Sequence, residues 1–167
     1  MKISLITPAG KQLKNGNRTT AVRWARLLRR AGHQVRVTND YDGRAVDLLI
    51  ALHAWHSAKA VQRYRCQAPK GPLVVGLGGT DVNTFLKTDR QITLNTMKAA
   101  DALICLHDLV GEALPPALWG RLNVVRQSAT PLSVTRVPSK RHFDICVIGH
   151  LRDEKDPFRA ALAARQM

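Results

Sequence analysis

Residues 1–37, MKISLITPAGKQLKNGNRTTAVRWARLLRRAGHQVRV, read as strand, polar loop, helix and second strand, and this order decides the fold. Residues 2–7 (KISLIT) are a short run rich in β-branched side chains, and residues 8–18 form a loop rich in Gly, Asn and Lys. Residues 19–31 carry apolar side chains at helical spacing, Gly32 ends that helix, and residues 34–38 start the next strand. A strand, loop and helix joined in this way aim the loop N–H groups and the helix N-terminus at one point beyond the carboxyl edge of a sheet. An anion is stabilised there.

Within the predicted helix, Val22, Ala25, Leu27 and Leu28 with Trp24 supply the apolar positions. Arg23, Arg26, Arg29 and Arg30 supply a solvated basic face, and the last two also suit the negative end of the helix dipole.

The unit then repeats. Residues 47–52 (DLLIAL) are a continuous apolar run, as expected of a strand covered on both faces in a parallel sheet. A helix is predicted over 53–68, a buried strand over 72–77, a glycine loop over 78–81, a helix over 89–100, and strands at 102–106 and 122–126. The fold class is therefore α/β, a Rossmann-like doubly wound parallel sheet of about six strands with helices on both faces. Residues 128–142, with Pro131, Pro138 and several Ser and Thr, read as a linker. The pattern then restarts: a strand at 143–148 (FDICVI), a charged loop opened by Gly149, and a helix over 157–167. An apolar strand without neighbours invites pairing, so this segment predicts a homodimer through it or its docking on the preceding domain.

Composition narrows the chemistry. The 167 residues, 45% hydrophobic and 23% charged, suit a soluble chain with a full core. Against 12 Asp+Glu stand 26 Lys+Arg, a net charge of +14 that draws in phosphates, nucleotides or nucleic acid. Nucleic acid ranks below small anions, because only 5% of residues are aromatic and they do not interleave with the basic ones. Cys66, Cys105 and Cys146 form no C-x-x-C pair and read as buried thiols in a reducing compartment. The first residues enter a strand directly and no apolar run approaches 18 residues, which predicts a cytoplasmic protein that is neither exported nor membrane-spanning.

Three loops carry the candidate chemistry. Asn15, Gly16, Asn17 and Arg18 offer backbone approach, amide donors and positive charge at a helix start. Asn17 or Thr19 could equally be a helix cap in a solvated turn. Gly79, Thr80 and Asp81 follow a buried strand at its carboxyl end, with capping as the plain alternative, and His53 occupies the matching position after Leu52. His56 lies three residues on, but no nearby carboxylate or Cys completes a zinc set, and no metal is expected. His150, Arg152 and Lys155 sit in the third loop, where Lys155 could reach a diphosphate or simply pair with Asp153, Glu154 and Asp156.

These loops in this order resemble the N-terminal part of a GT-B glycosyltransferase of the family-4 type, with the helix ending Gly32, His33, Gln34, Val35 and the segment VIGHLRDEK at 147–155. More specifically, TPAGKQLKNGNRTTAVRWARLLRRAGHQV, IALHAWHSA, GGTDV, RQSA and FDICVIGHLRDEKDPFRAALAAR resemble the selenosugar synthase subgroup of selenoneine biosynthesis. Departures fall at Val82 and Asn83, at Trp55 and His56, and at His150, which stands where relatives carry Arg.

The resemblance implies an acceptor-side domain over 1–127 and the start of a nucleotide-sugar domain over 143–167, so that the chain stops after that domain's first helix and is incomplete as a catalyst. It implies transfer of a sugar from a UDP-sugar to selenophosphate, without metal or other cofactor. Asn15, Gly16, Asn17, Arg18, Gly79, Thr80 and Asp81 would bind the acceptor, His53 would orient it or exchange its proton, and His150, Arg152 and Lys155 would hold the donor diphosphate. The alternatives are a family-4 transferase with another acceptor and a basic, non-catalytic binding module.

Overall fold

The computed structural model describes every residue except 11–15, 135, 136, 138, 144, 150, 152 and 167. The apolar runs become strands β1 (Lys2–Ile6), β2 (Gln34–Thr38), β3 (Leu48–Leu52), β4 (Leu73–Gly76), β5 (Ala102–Cys105) and β6 (Leu122–Val124). They form one parallel sheet in the order β2-β1-β3-β4-β5-β6. Helix α1 (Gly16–Arg30) crosses from β1 to β2, α2 (Ala58–Gln67) from β3 to β4, and the short α3 (Leu86–Thr88) and α4 (Arg90–Ala99) from β4 to β5. The architecture is α/β and Rossmann-like.

Alternate residues of each strand feed two cores. Ile3, Leu5, Val35, Ile50 and Leu52 pack with Ala21 and Ala25 of α1. On the opposite face Ile6, Leu49, Leu73, Val75 and Leu103 pack with Val61 and Tyr64 of α2 and Leu94 and Met97 of α4. The buried stripe of α1 is narrower than its sequence implies. Ala21 and Ala25 are buried with Trp24 and Leu28 against them, whereas Val22 and Leu27 are exposed, because 21, 24, 25 and 28 share one helical face and the other two lie off it. Gly32 takes φ +86° at the helix end. Its N–H meets the Arg29 carbonyl at 3.0 Å and the His33 N–H meets that of Leu28 at 3.1 Å, a Schellman closure that glycine makes without strain. Arg29 is not purely solvated either, since it donates to the Val35 carbonyl at 3.2 and 2.6 Å.

Of the three cysteines only Cys105 is buried; Cys66 and Cys146 are exposed. Cys66 lies on α2 away from the face that Ala60, Val61 and Tyr64 turn to the sheet, which corrects the expectation of three buried thiols. Burial pushes the Cys105 thiol above its ordinary range.

Arg65 ties α2 to the end of α4. It donates to the Ala99 carbonyl at 2.8 and 2.6 Å, to Gly71 and Pro69, and to Asp101 at 3.0 Å. Burial pushes the Asp101 carboxyl up, but the Leu73 N–H and the Arg65 guanidinium together outweigh it and hold the group below 3.8. A carboxyl lowered in the folded state contributes stability that is present above its unfolded pKa and lost as pH falls through the folded one. Arg65→Met is expected to cost about 2 kcal/mol in urea melts at pH 7. The cost should shrink as pH falls through the lowered pKa of Asp101, and a cost that stays constant throughout the acid range would remove Asp101 from the account.

The chain divides into Met1–Ser128, described above, and Ala129–Met167. The second unit holds a 3₁₀ turn at Asp153–Lys155 and helix α5 (Arg159–Ala164), shorter than the predicted 157–167. The strand expected at 143–148 does not form among its described residues, and Phe143 and Ile148 are 90% and 95% exposed. An apolar run is a strand only where a neighbour takes its backbone hydrogen bonds, and among the described residues none does. No helix of the described residues is long and apolar enough to cross a membrane.

Candidate functional site

The chain runs from β1 to β2 in one direction along the sheet and from β3 to β4 in the other, so the loops after neighbouring strands β1 and β3 part at their carboxyl ends. Such a divergence leaves a crevice where α/β proteins bind ligands. Helix α1 begins beside it at Gly16, three residues earlier than predicted, so Gly16, Asn17 and Arg18 form its first turn and are not part of a loop. Asn15 lies outside the described residues.

On the other side of the crevice β3 ends and the chain turns sharply at His53, whose φ is +73°, a left-handed conformation costly for a residue with a Cβ. The His53 N–H completes the β-ladder on the Gly76 carbonyl at 2.7 Å, and Ser57 closes the turn by donating from Oγ to the Leu52 carbonyl at 2.7 Å. The helix predicted to start at residue 53 therefore begins only at Ala58. Residues 53–57 are committed to this turn.

Asp81 explains the turn. Its side chain is fully buried and accepts from the Ala54 N–H at 2.8 Å, the Gly78 N–H at 2.8 Å and the Trp55 N–H at 2.9 Å. Its Oδ1 lies 2.8 Å from His53 Nδ1. Four donors surround one carboxylate, replacing the water it lost and joining the ends of β3 and β4.

His53, also buried, is held at both ring nitrogens, with Nε2 at 2.7 Å from Thr80 Oγ1. With the Nδ1 proton directed at Asp81, a neutral ring accepts the Thr80 hydroxyl at Nε2; a doubly protonated ring donates to Thr80 instead. The backbone N–H of His56 is farther from Nδ1, at 3.3 Å, and is the weaker contact. Gly78 lies so close to the ring that a Cβ there would be 3.1 Å from His53 Cδ2.

Aromatic side chains close around this histidine. Trp55 and Phe85 stack with centroids 4.2 Å apart and planes 7° from parallel, and His56 lies 4.3 Å from the His53 ring. Burial lowers the His56 pKa first, the charge of His53 lowers it further, and Asp81 opposes both. Phe85 reaches its place from a π-helical turn, Asp81–Phe85, that the sequence did not announce. The stack was equally hidden, since its two rings are 30 positions apart in the chain.

The predicted residues thus divide. His53, Thr80 and Asp81 are brought together, with Gly79 beside them. Gly16, Asn17 and Arg18 lie along the same edge of the sheet. His150 and Arg152 lie outside the described residues, and Lys155 is exposed in the 3₁₀ turn of the second unit. Among the described residues no three ligand-type side chains converge on a metal position.

No family model matches the chain, and no curated protein matches it.

Proposed function

We propose that Met1–Ser128 is the acceptor-side domain of a glycosyltransferase that moves a sugar from a UDP-sugar to a small dianionic acceptor, with selenophosphate as the acceptor of choice. The reading is carried by the buried Asp81–His53–Thr80 chain at the carboxyl edge of the sheet. In the transfer, an acceptor lone pair forms the new bond to the anomeric carbon while the bond from that carbon to UDP breaks and its electrons leave with the diphosphate. The chain's own part is to hold the acceptor's charge and orientation.

Thr80 supports this through proton placement. While the ring is neutral, the Thr80 O–H is spent on Nε2. When the ring carries both protons, Nε2–H donates to Oγ1, and the hydroxyl proton is free to turn outward to an acceptor oxygen. The α1 N-terminus with Asn17 and Arg18 adds attraction from across the crevice, and the net charge of +14 draws the dianion in. On the donor side His150, Arg152 and Lys155 are proposed as diphosphate contacts.

Titration calorimetry with phosphate and then selenophosphate tests the reading. Wild-type chain should bind both anions, and His53→Gln should weaken binding roughly tenfold. Binding that is absent, or unaffected by His53→Gln, would remove the anion role of this site.

A further inference from the structure

Gly78, which packs on the His53 ring, also lines a cleft of about 410 Å³ between the loops that follow β4 and β5. That size is in the range of small-ligand sites. Its floor is apolar: Leu77 and Val110 are buried, and Leu109, on the 3₁₀ turn Asp108–Ala113, is 64% exposed at its wall. Around the opening stand Asn83, His107 and Glu112, all exposed.

Charge separates this cleft from the rest of the surface. In a chain of net charge +14, Glu112 supplies the one carboxylate of the lining, and among the described residues no cation or hydrogen-bond donor pairs with it. A carboxylate there repels phosphate and accepts hydrogen bonds from hydroxyl groups, and the Asn83 amide can both donate and accept. An apolar floor with an unpaired carboxylate and an amide at the rim matches a ring with one C–H face and several hydroxyls.

We infer that the cleft between the β4 and β5 loops is a subsite for a neutral, hydroxyl-rich sugar ring, with Glu112 accepting its hydroxyl protons and Leu109 covering its C–H face. This deepens the transferase reading and rests on it: anion at the His53 end, sugar in the cleft, with Gly78 common to both. Gly79 also lines the cleft, with nothing within 4 Å of the place a Cβ would take.

The ¹⁵N-labelled full chain, titrated separately with methyl β-glucoside and with inorganic phosphate, tests the inference. Glucoside should shift the amides of Gly79, Leu109 and Ala113. Glu112→Ala should weaken it roughly tenfold while leaving phosphate affinity unchanged. Gly79→Leu, which places a side chain in the open space at the cleft wall, should reduce glucoside binding as well. Glucoside shifts absent from these amides, or an affinity untouched by Glu112→Ala, would overturn the subsite even where phosphate binds at Thr80. Phosphate failing to bind while glucoside shifts the cleft amides and responds to Glu112→Ala would sustain the subsite and overturn the anion reading alone.

Discussion

Asp81→Asn is expected to lower stability by about 3–5 kcal/mol, the usual cost of breaking a buried, fully bonded charge. On a domain of this size that is a fall in Tm of about 10 °C. Asparagine is nearly the same shape, so packing is preserved and the loss isolates the charge. The carboxylate accepts three backbone N–H groups and His53 Nδ1, and an amide must turn its NH₂ toward some of these donors. Those donors are then buried unpaired. Hydrogen exchange should quicken first at Ala54, Trp55 and Gly78, because the ends of β3 and β4 lose their common anchor. The same substitution should remove phosphate binding, since His53 loses the partner that sets its orientation. A variant within about 1 kcal/mol of wild type would show that the carboxylate does not hold the two loops together.

Tyr64→Ala should cost a similar 3–5 kcal/mol, through a cavity and not through charge. The side chain is 1% exposed, sits edge-on to Tyr41 at 5.2 Å, and donates to the Pro72 carbonyl at 3.1 Å. Gly71 lies against the phenol with no room for a Cβ. Tyr64→Phe, which keeps the ring and removes one hydrogen bond, should cost about 1 kcal/mol. Denaturation with urea at pH 7 separates the two, and equal losses would refute the cavity account. Burial holds the phenol above its ordinary 10.0, so its contribution is complete below that pH and is lost as pH climbs through the raised value.

The inner strands β1, β3, β4 and β5 were legible in the chain because they are covered on both faces, and such strands are written as largely apolar runs such as LLIAL. The run FDICVI carries the same local signal at 143–148 and yields no strand among its described residues, because strand identity is completed by a partner's backbone. His53, Thr80 and Asp81 were readable as a group through their shared position after strands. Their bonding was not. The turn at His53 is imposed by a carboxylate 28 positions later, and no window of sequence spans that distance with a periodic signal.

By itself, then, the sequence determined the order of strands and helices, the parallel sheet, the positive charge, and the loops in which chemistry could lie. Those properties are local or additive, set by neighbours within a few residues or by simple sums. Tertiary structure alone decided that Asp81 is a buried hub, that Trp55 stacks on Phe85, that Cys66 faces outward, and that a cleft with Glu112 in its lining opens between the loops after β4 and β5. Each of these depends on which distant segments share a volume from which water has been removed, where an unpaired group or charge costs more than any local preference can supply.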